Sequence, residues 1–187
     1  MEPRLLPAFK FEVTLMRSPE ISAGSQVLLG AGDPIEPPAG GALLGNGGFQ
    51  EITGLEIEME MQDVMEGGRN NGVVRRIGRA KATPLILKRG LFFTPSSDSD
   101  EDAAADTAFW EWIQAIIGGE RPAPRFDGII YVKSPDNTVR ATWVFERGLP
   151  AKLKGPELNG KTGEVAIEEL HIAHEGLRCV PARRAGA

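Results

Sequence analysis

Three stretches of this sequence place reactive residue types at spacings that suggest chemistry. The sharpest is Gly155 to Thr162, GPELNGKT, which matches the phosphate-loop string of Gly, four residues, Gly, Lys and Ser or Thr. Such a loop works by aiming successive backbone N–H groups at phosphate oxygens, between a buried strand and a helix N-terminus. Pro156 has no N–H to aim, and Glu157 brings negative charge toward the anion. The residues that follow, GEVAIEELHIA, carry Val165, Ile167 and Ile172 and read as extended chain. An Asn-Gly turn is the simpler reading, and a P-loop-like NTPase is the alternative it competes with.

His171 and His174, with Glu168 and Glu175 nearby, could share a metal if they stood on a helix. On a strand, residues three apart leave opposite faces, and this region reads as a strand, so surface or hydrogen-bonded histidines are expected instead. Asp98, Asp100 and Asp102 imitate the start of a calcium loop, but Ala103 stands where the loop needs glycine and Phe109 where it needs a bidentate Glu. Cys179 is the only cysteine, so no internal disulfide forms, and it lies outside any metal-ligand spacing. No Ser-His-Asp arrangement can be singled out. The expectation is a chain with no catalytic residues, no metal and no cofactor.

What remains is a charge pattern. In GGFQEITGLEIEMEM, Gly47 to Met61, the carboxylates Glu56, Glu58 and Glu60 alternate with Leu55, Ile57, Met59 and Met61. Period two is the signature of a strand with one oily and one acidic face. From Glu51 to Glu66 every charged residue is negative (Glu51, Glu56, Glu58, Glu60, Asp63, Glu66); from Arg69 to Arg89 every one is positive (Arg69, Arg75, Arg76, Arg79, Lys81, Lys88, Arg89). One reading is a solvated surface whose cross-strand pairs are worth a fraction of a kcal/mol each. The other sets the acidic face against the basic segment of a neighbouring copy, a head-to-tail contact that makes rings or filaments.

The elements that must carry these residues are mostly strands. Phe9, Phe11, Val13 and Leu15 alternate with polar residues over Ala8 to Met16. A second strand is expected from Gln50 to Met61, bent or bulged near Gly54, and a further extended region follows the turn residues GGRNNG. DTAFWEWIQAIIGG is the one helix: Asp106 or Thr107 caps it, Phe109, Trp112, Ile113, Ile116 and Ile117 form its apolar stripe, and Gly118 suits C′. Gly128 to Lys133 and Thr138 to Glu146 flank SPDN as a hairpin. In EVAIEELHIAHEGL the apolar parity slips between Ile167 and Leu170, which a bulge at Glu168 and Glu169 would produce. The sum is a mainly β domain, a sandwich or barrel with a helix on its flank.

The chain of 187 residues fits one domain, 1–187, with insertions at about 18–48 and 96–106. Its formal net charge of -5 argues against a general nucleic-acid binder. No apolar run approaches the roughly 20 residues that span a bilayer, and the start lacks a signal-peptide pattern, so a protein made in the cytosol, without membrane insertion of its own, is expected.

Taken in order, GGFQEITGLEIEMEM, EGGRNNG, LILKRGL, AFWEWI, WVFERGLPAKLKGPELNG and EVAIEELHIAHEGL resemble the tail tube protein family of contractile-tailed phages and related contractile injection systems. The matches run from Phe9 to Leu177. The resemblance implies a structural protein with no active site: two packed antiparallel sheets with a flanking helix, hexameric rings whose inner strands join into one barrel, and rings stacked into a tube inside a sheath. Its implied partners are further copies of itself, the sheath protein, baseplate or tube-initiator proteins, and cargo in the lumen. Under that resemblance Glu56, Glu58 and Glu60 face the channel or an assembly partner. The segments Ser18 to Gly48 and Ser96 to Asp106 are longer than in compact members, which admits a specialised ring such as an initiator, adaptor or terminator. A monomeric β-sandwich binding module is the reading without assembly.

Overall fold

Alternating apolar and polar residues, many of them β-branched or aromatic, put most of this chain into antiparallel strands. The computed structural model describes residues 5–18, 44, 48–65, 67, 72–94, 104–161 and 163–180. In chain order these form β1 (Phe11–Arg17), β2 (Phe49–Thr53), β3 (Ile57–Val64), β4 (Val74–Ala82), β5 (Leu85–Gly90), β6 (Phe93–Thr94), β7 (Ala104–Ala105), α1 (Ala108–Ile117), β8 (Phe126–Lys133), β9 (Val139–Lys154), β10 (Ile167–Ala173) and β11 (Gly176–Val180). The two expected insertions fall mostly outside the described residues. So do Glu66, Arg69, Asp98, Asp100, Asp102 and residues 181–187.

Six strands form one path, β1-β8-β9-β10-β5-β2, and a seventh, β11, pairs with β9 beside it. Two layers arise because the long β9 serves both. Its first half pairs with β8 and β11, and Leu149 to Lys154 pair with β10. The strand turns at Arg147 and Gly148. Arg147 sits at φ 52°, in the left-handed region, and a Cβ on Gly148 would lie 2.6 Å from Ile172 Cγ2. Buried Asp127 fixes this corner: its Oδ1 accepts from the Arg147 N–H at 2.7 Å and from Ser18 Oγ at 2.6 Å.

Between the layers lie Leu15, Leu44, Leu85, Leu87, Phe109, Trp112, Phe126, Phe145, Leu170, Ile172 and Leu177. Helix α1 closes one side. Trp112 meets Phe126 edge-on with centroids 4.7 Å apart, and its Nε1 donates to Pro124 O at 2.9 Å. Thr107 is the N-cap and makes no side-chain capping bond; Asp106, one residue earlier, accepts from the Ala108 N–H through Oδ1 at 2.9 Å. At the other end the expected position of the glycine is off by one. Gly118 is still right-handed and Gly119, at φ +88°, makes the turn, with Glu120 N bonded to Ala115 O and Gly119 N to Ile116 O.

Three more expectations change. β1 starts at Phe11 and leaves Phe9 exposed. The single strand expected over Gln50 to Met61 is two strands in two different sheets, β2 and β3, broken at Gly54. Gly54 sits at φ +87°, and a Cβ there would lie 2.2 Å from Pro84 O, so the chain crosses its own later segment too closely for a side chain. There is no bulge at Glu168 and Glu169 against β5, where Ile167 to Ile172 pair without interruption. The irregularity falls between His171 and Ile172, against β9. Parity holds because Glu168, a carboxylate, occupies an interior position in line with Leu170 and Ile172.

Candidate assembly interface

The interior carboxylate explains itself through Arg89, which is equally buried and directly opposite it in the β5–β10 register. Arg89 Nε donates to Glu168 Oε1 at 2.5 Å, and its Nη2 to Asp106 Oδ1 at 3.2 Å. The guanidinium also lies 3.8 Å from the Phe109 ring centroid. By sequence Arg89 belongs to the basic segment. The fold withdraws it from the surface and spends its charge on joining β5, β10 and the start of α1.

Arg75, Arg76, Arg79 and Lys81 lie on β4, which pairs antiparallel with β3 and with no other strand among the described residues. The acidic and basic segments are thus brought together within one chain. Glu58 stands opposite Lys81, Gln62 opposite Arg76 and Asp63 opposite Arg75, with Arg75 Nε 3.4 Å from Asp63 Oδ1. The register shifts between Met59 and Met61, with Gly78 beside the Glu60 carbonyl. Glu56 precedes β3 in the hairpin's stem, where its N–H donates to Gly54 O at 2.7 Å.

The face away from Glu58–Lys81 and Gln62–Arg76 is apolar from Ile57 to Met61, ends on the Asp63–Arg75 pair, and is left exposed. Ile57, Met59 and Met61 on β3 are 50%, 40% and 61% exposed, and Ile77 on β4 is 68% exposed. Directly opposed pairs share a face, so Ile57 with Ala82, Met59 with Ala80 and Met61 with Ile77 make one continuous stripe. An isolated two-stranded ribbon is marginal in water. Covering four such side chains is worth roughly 1 kcal/mol or more each. Sequence periodicity found the stripe; it carries no information on whether the same chain covers it.

A second surface escaped the sequence reading. The outward row across four strands is Glu51 on β2, Lys88 on β5, Glu169 on β10 and Lys154 on β9, each opposite the next. One row inward, Ile52, Leu87, Leu170 and Leu153 face the core in the same order. Lys88 Nζ donates to Glu51 Oε2 at 2.8 Å, and that hydrogen bond holds its ammonium above the usual range. Glu169 Oε1 lies 2.6 Å from His171 Nε2, and the bond lowers its carboxyl pKa. Lys154 is held, and its pKa raised, by Glu157 at 3.0 Å. The signal was available only in pieces, because the four residues come from four separate segments.

His171 and His174 take different partners. His171 is on that outer face, whereas His174 lies half-buried beside Phe145, ring centroids 5.9 Å apart, and burial lowers its pKa. The GPELNGKT segment leads into β10 and not into a helix, and Asn159 Oδ1 accepts from the Lys161 N–H at 3.0 Å as in an Asx turn. The Lys161 N–H serves that local turn, and among the described residues no helix starts behind it. Cys179 is an exposed free thiol on β11. Among the described residues no helix is long and apolar enough to cross a membrane.

The family model described as T4-like virus tail tube protein gp19 matches residues 7–178. No curated protein matches the chain. Solved structures share its fold. The anti-feeding prophage tube-terminating cap is 18% identical, with 97% of this chain and 95% of that chain covered and a TM-score of 0.64. The anti-feeding prophage baseplate, six-fold symmetrised, gives 16%, 98%, 100% and 0.66 in the same order. The sheath-tube complex of an extracellular contractile injection system, PVC, gives 16%, 95%, 93% and 0.61.

Proposed function

This chain belongs to the T4-like tail tube protein family, and from that premise we propose that it is a ring-forming subunit of the inner tube of a contractile tail or injection system. Six copies close a ring, rings stack into a hollow tube, and the sheath and baseplate proteins are its partners. The observation that carries this reading is the β3–β4 hairpin with its bare apolar stripe, Ile57, Met59, Met61 and Ile77. A ribbon exposed on both faces gains its stability from whatever covers it, and in a symmetric assembly of one chain that cover is another copy. The charged face of the same hairpin, Glu58 beside Lys81 and Glu60 beside Gly78, then sets register at the contact while the stripe supplies the affinity. Glu56, Glu58 and Glu60 are assigned here to an interface between copies, with Arg75, Arg76 and Arg79 on the adjacent strand.

The fold neighbours come from a cap, a baseplate and a sheath-tube complex, and this supports a place in such a particle. Electron microscopy of the purified protein tests the reading. Six-fold rings are expected, extending into long tubes for a repeating subunit and remaining single rings for an initiator or terminator. A protein that stays monomeric at high concentration, even with its sheath and baseplate proteins, overturns it.

A further inference from the structure

The turn between β10 and β11 holds two neighbouring residues with opposite demands. His174 faces inward, its ring beside buried Phe145, and both ring nitrogens are shut off from solvent. They face the backbones of Thr83 and Gly176 without reaching hydrogen-bond distance. Glu175 lies at the surface and joins two cations: Arg125 Nη1 donates to its Oε1 at 2.7 Å and Arg147 Nε to its Oε2 at 2.8 Å. Arg125 Nη1 also donates to the Arg147 carbonyl at 3.0 Å, and the Glu175 N–H to the Glu146 carbonyl at 3.0 Å. These bonds converge on the corner where β9 passes from one layer to the other. That corner needs fastening, because Arg147 holds a left-handed φ of 52° that a residue with a side chain adopts only under constraint.

We propose that this turn is an acid-released clasp: the neutral His174 ring seats the turn, the seated turn presents Glu175 to Arg125 and Arg147, and a proton on the ring unseats it and loosens the corner of β9. The device lies within one chain and stands apart from the ring-forming reading.

The surroundings of the ring supply the reason. A charged imidazolium needs water or an anion, and the carboxylates near the turn are engaged elsewhere. Glu175 holds the two arginines, and Asp127 on β8 accepts from the Arg147 N–H. Glu146 on β9 stands opposite Gly176, with Arg178 of β11 at 3.9 Å. On the hairpin side, Glu56 meets Thr83 through its backbone carbonyl. Burial therefore outweighs the Thr83 and Gly176 backbones, which favour the charged ring, and lowers the His174 pKa. The clasp is closed above the usual imidazole range and opens as pH falls through the lowered value. Glu146 works the other way: burial raises its carboxyl pKa, so proton uptake there favours the fold and cannot cause a loss in acid.

Amide exchange of the full chain, read by mass spectrometry and normalised for the intrinsic pH dependence of exchange, tests the clasp on the free subunit. Protection of peptides covering Glu146 to Gly148 and Glu175 to Arg178 is expected to fall about tenfold between about pH 7.5 and about pH 5, while Leu87 and Leu170 keep theirs. His174→Phe, which leaves a ring beside Phe145 and takes no proton, is expected to hold its protection across that range. Glu146→Gln is expected to lose protection as the parent does, and Glu175→Ala to show a loosened corner already at the higher pH. An acid loss in His174→Phe equal to the parent's, or a corner unmoved by Glu175→Ala, would overturn the proposal. Should His174→Phe not fold, NMR titration of the parent decides. A lowered imidazole pKa accompanied by a shift of the Arg147 amide sustains the clasp; a ring that titrates in the usual range, or without moving that amide, overturns it.

Discussion

The four-strand sheet and the β3–β4 hairpin are written in the same period-two pattern, and only the sheet is covered. In the sheet, Ile52, Leu87, Leu170 and Leu153 turn inward onto α1 and the second layer, and the opposite row is charged. In the hairpin, Ile57, Met59, Met61 and Ile77 make an equivalent stripe that meets solvent. Alternation specifies a strand with two unlike faces. It does not specify which chain supplies the cover, and that difference separates folding from assembly in this molecule.

The comparison can be broken most forcefully in the sheet. Arg89→Ala leaves Glu168 buried without its cation and Asp106 without its ion pair, and should cost about 3–5 kcal/mol in urea unfolding followed by tryptophan fluorescence. Met61→Ser in the hairpin should change monomer stability by only about 0.5 kcal/mol, since the side chain is already mostly in water, while weakening assembly. Equal losses for the two would erase the distinction.

Gly54→Ala addresses the joint between the two regions. It forces a side chain into a left-handed backbone position and against Pro84 O, and should cost about 1–3 kcal/mol or displace the hairpin from the body. Thermal melts and amide exchange at the stem separate these outcomes. A neutral result would mean that the hairpin's exit direction is not fixed by that crossing.

A smaller effect is expected at His174. Burial beside Phe145 depresses its pKa below 6.5, so the neutral ring is favoured in the folded state. Its contribution is present above 6.5 and is lost as pH falls through the lowered value. His174→Gln should therefore flatten the loss of stability on mild acidification and leave the neutral-pH value closest to that of the parent. An unchanged pH slope would remove His174 from the account.

Much of the frame was legible in sequence because it depends on local chemistry. The helix was readable from Phe109, Trp112 and Ile116, and the SPDN turn from residues that favour it. The tail tube family was readable from motifs spread along the chain, and the family match supports it. Other features depend on contacts between distant segments. Glu168 looked like a break in apolar parity because its partner Arg89 is 79 residues away. Gly54 looked like a bend because the carbonyl oxygen it must avoid, that of Pro84, belongs to a later segment. The row Glu51, Lys88, Glu169, Lys154 appears only once four strands are in register. The bare stripe was visible as a stripe, but bareness is a property of the folded chain.

Methionine reactivity tests the central claim directly, because Met59 and Met61 lie within the stripe itself. Peroxide oxidation followed by mass spectrometry on the free subunit and on assembled rings should show both oxidised in the free chain and both protected on assembly. Equal reactivity in the two states would contradict the claim that a second copy covers this face.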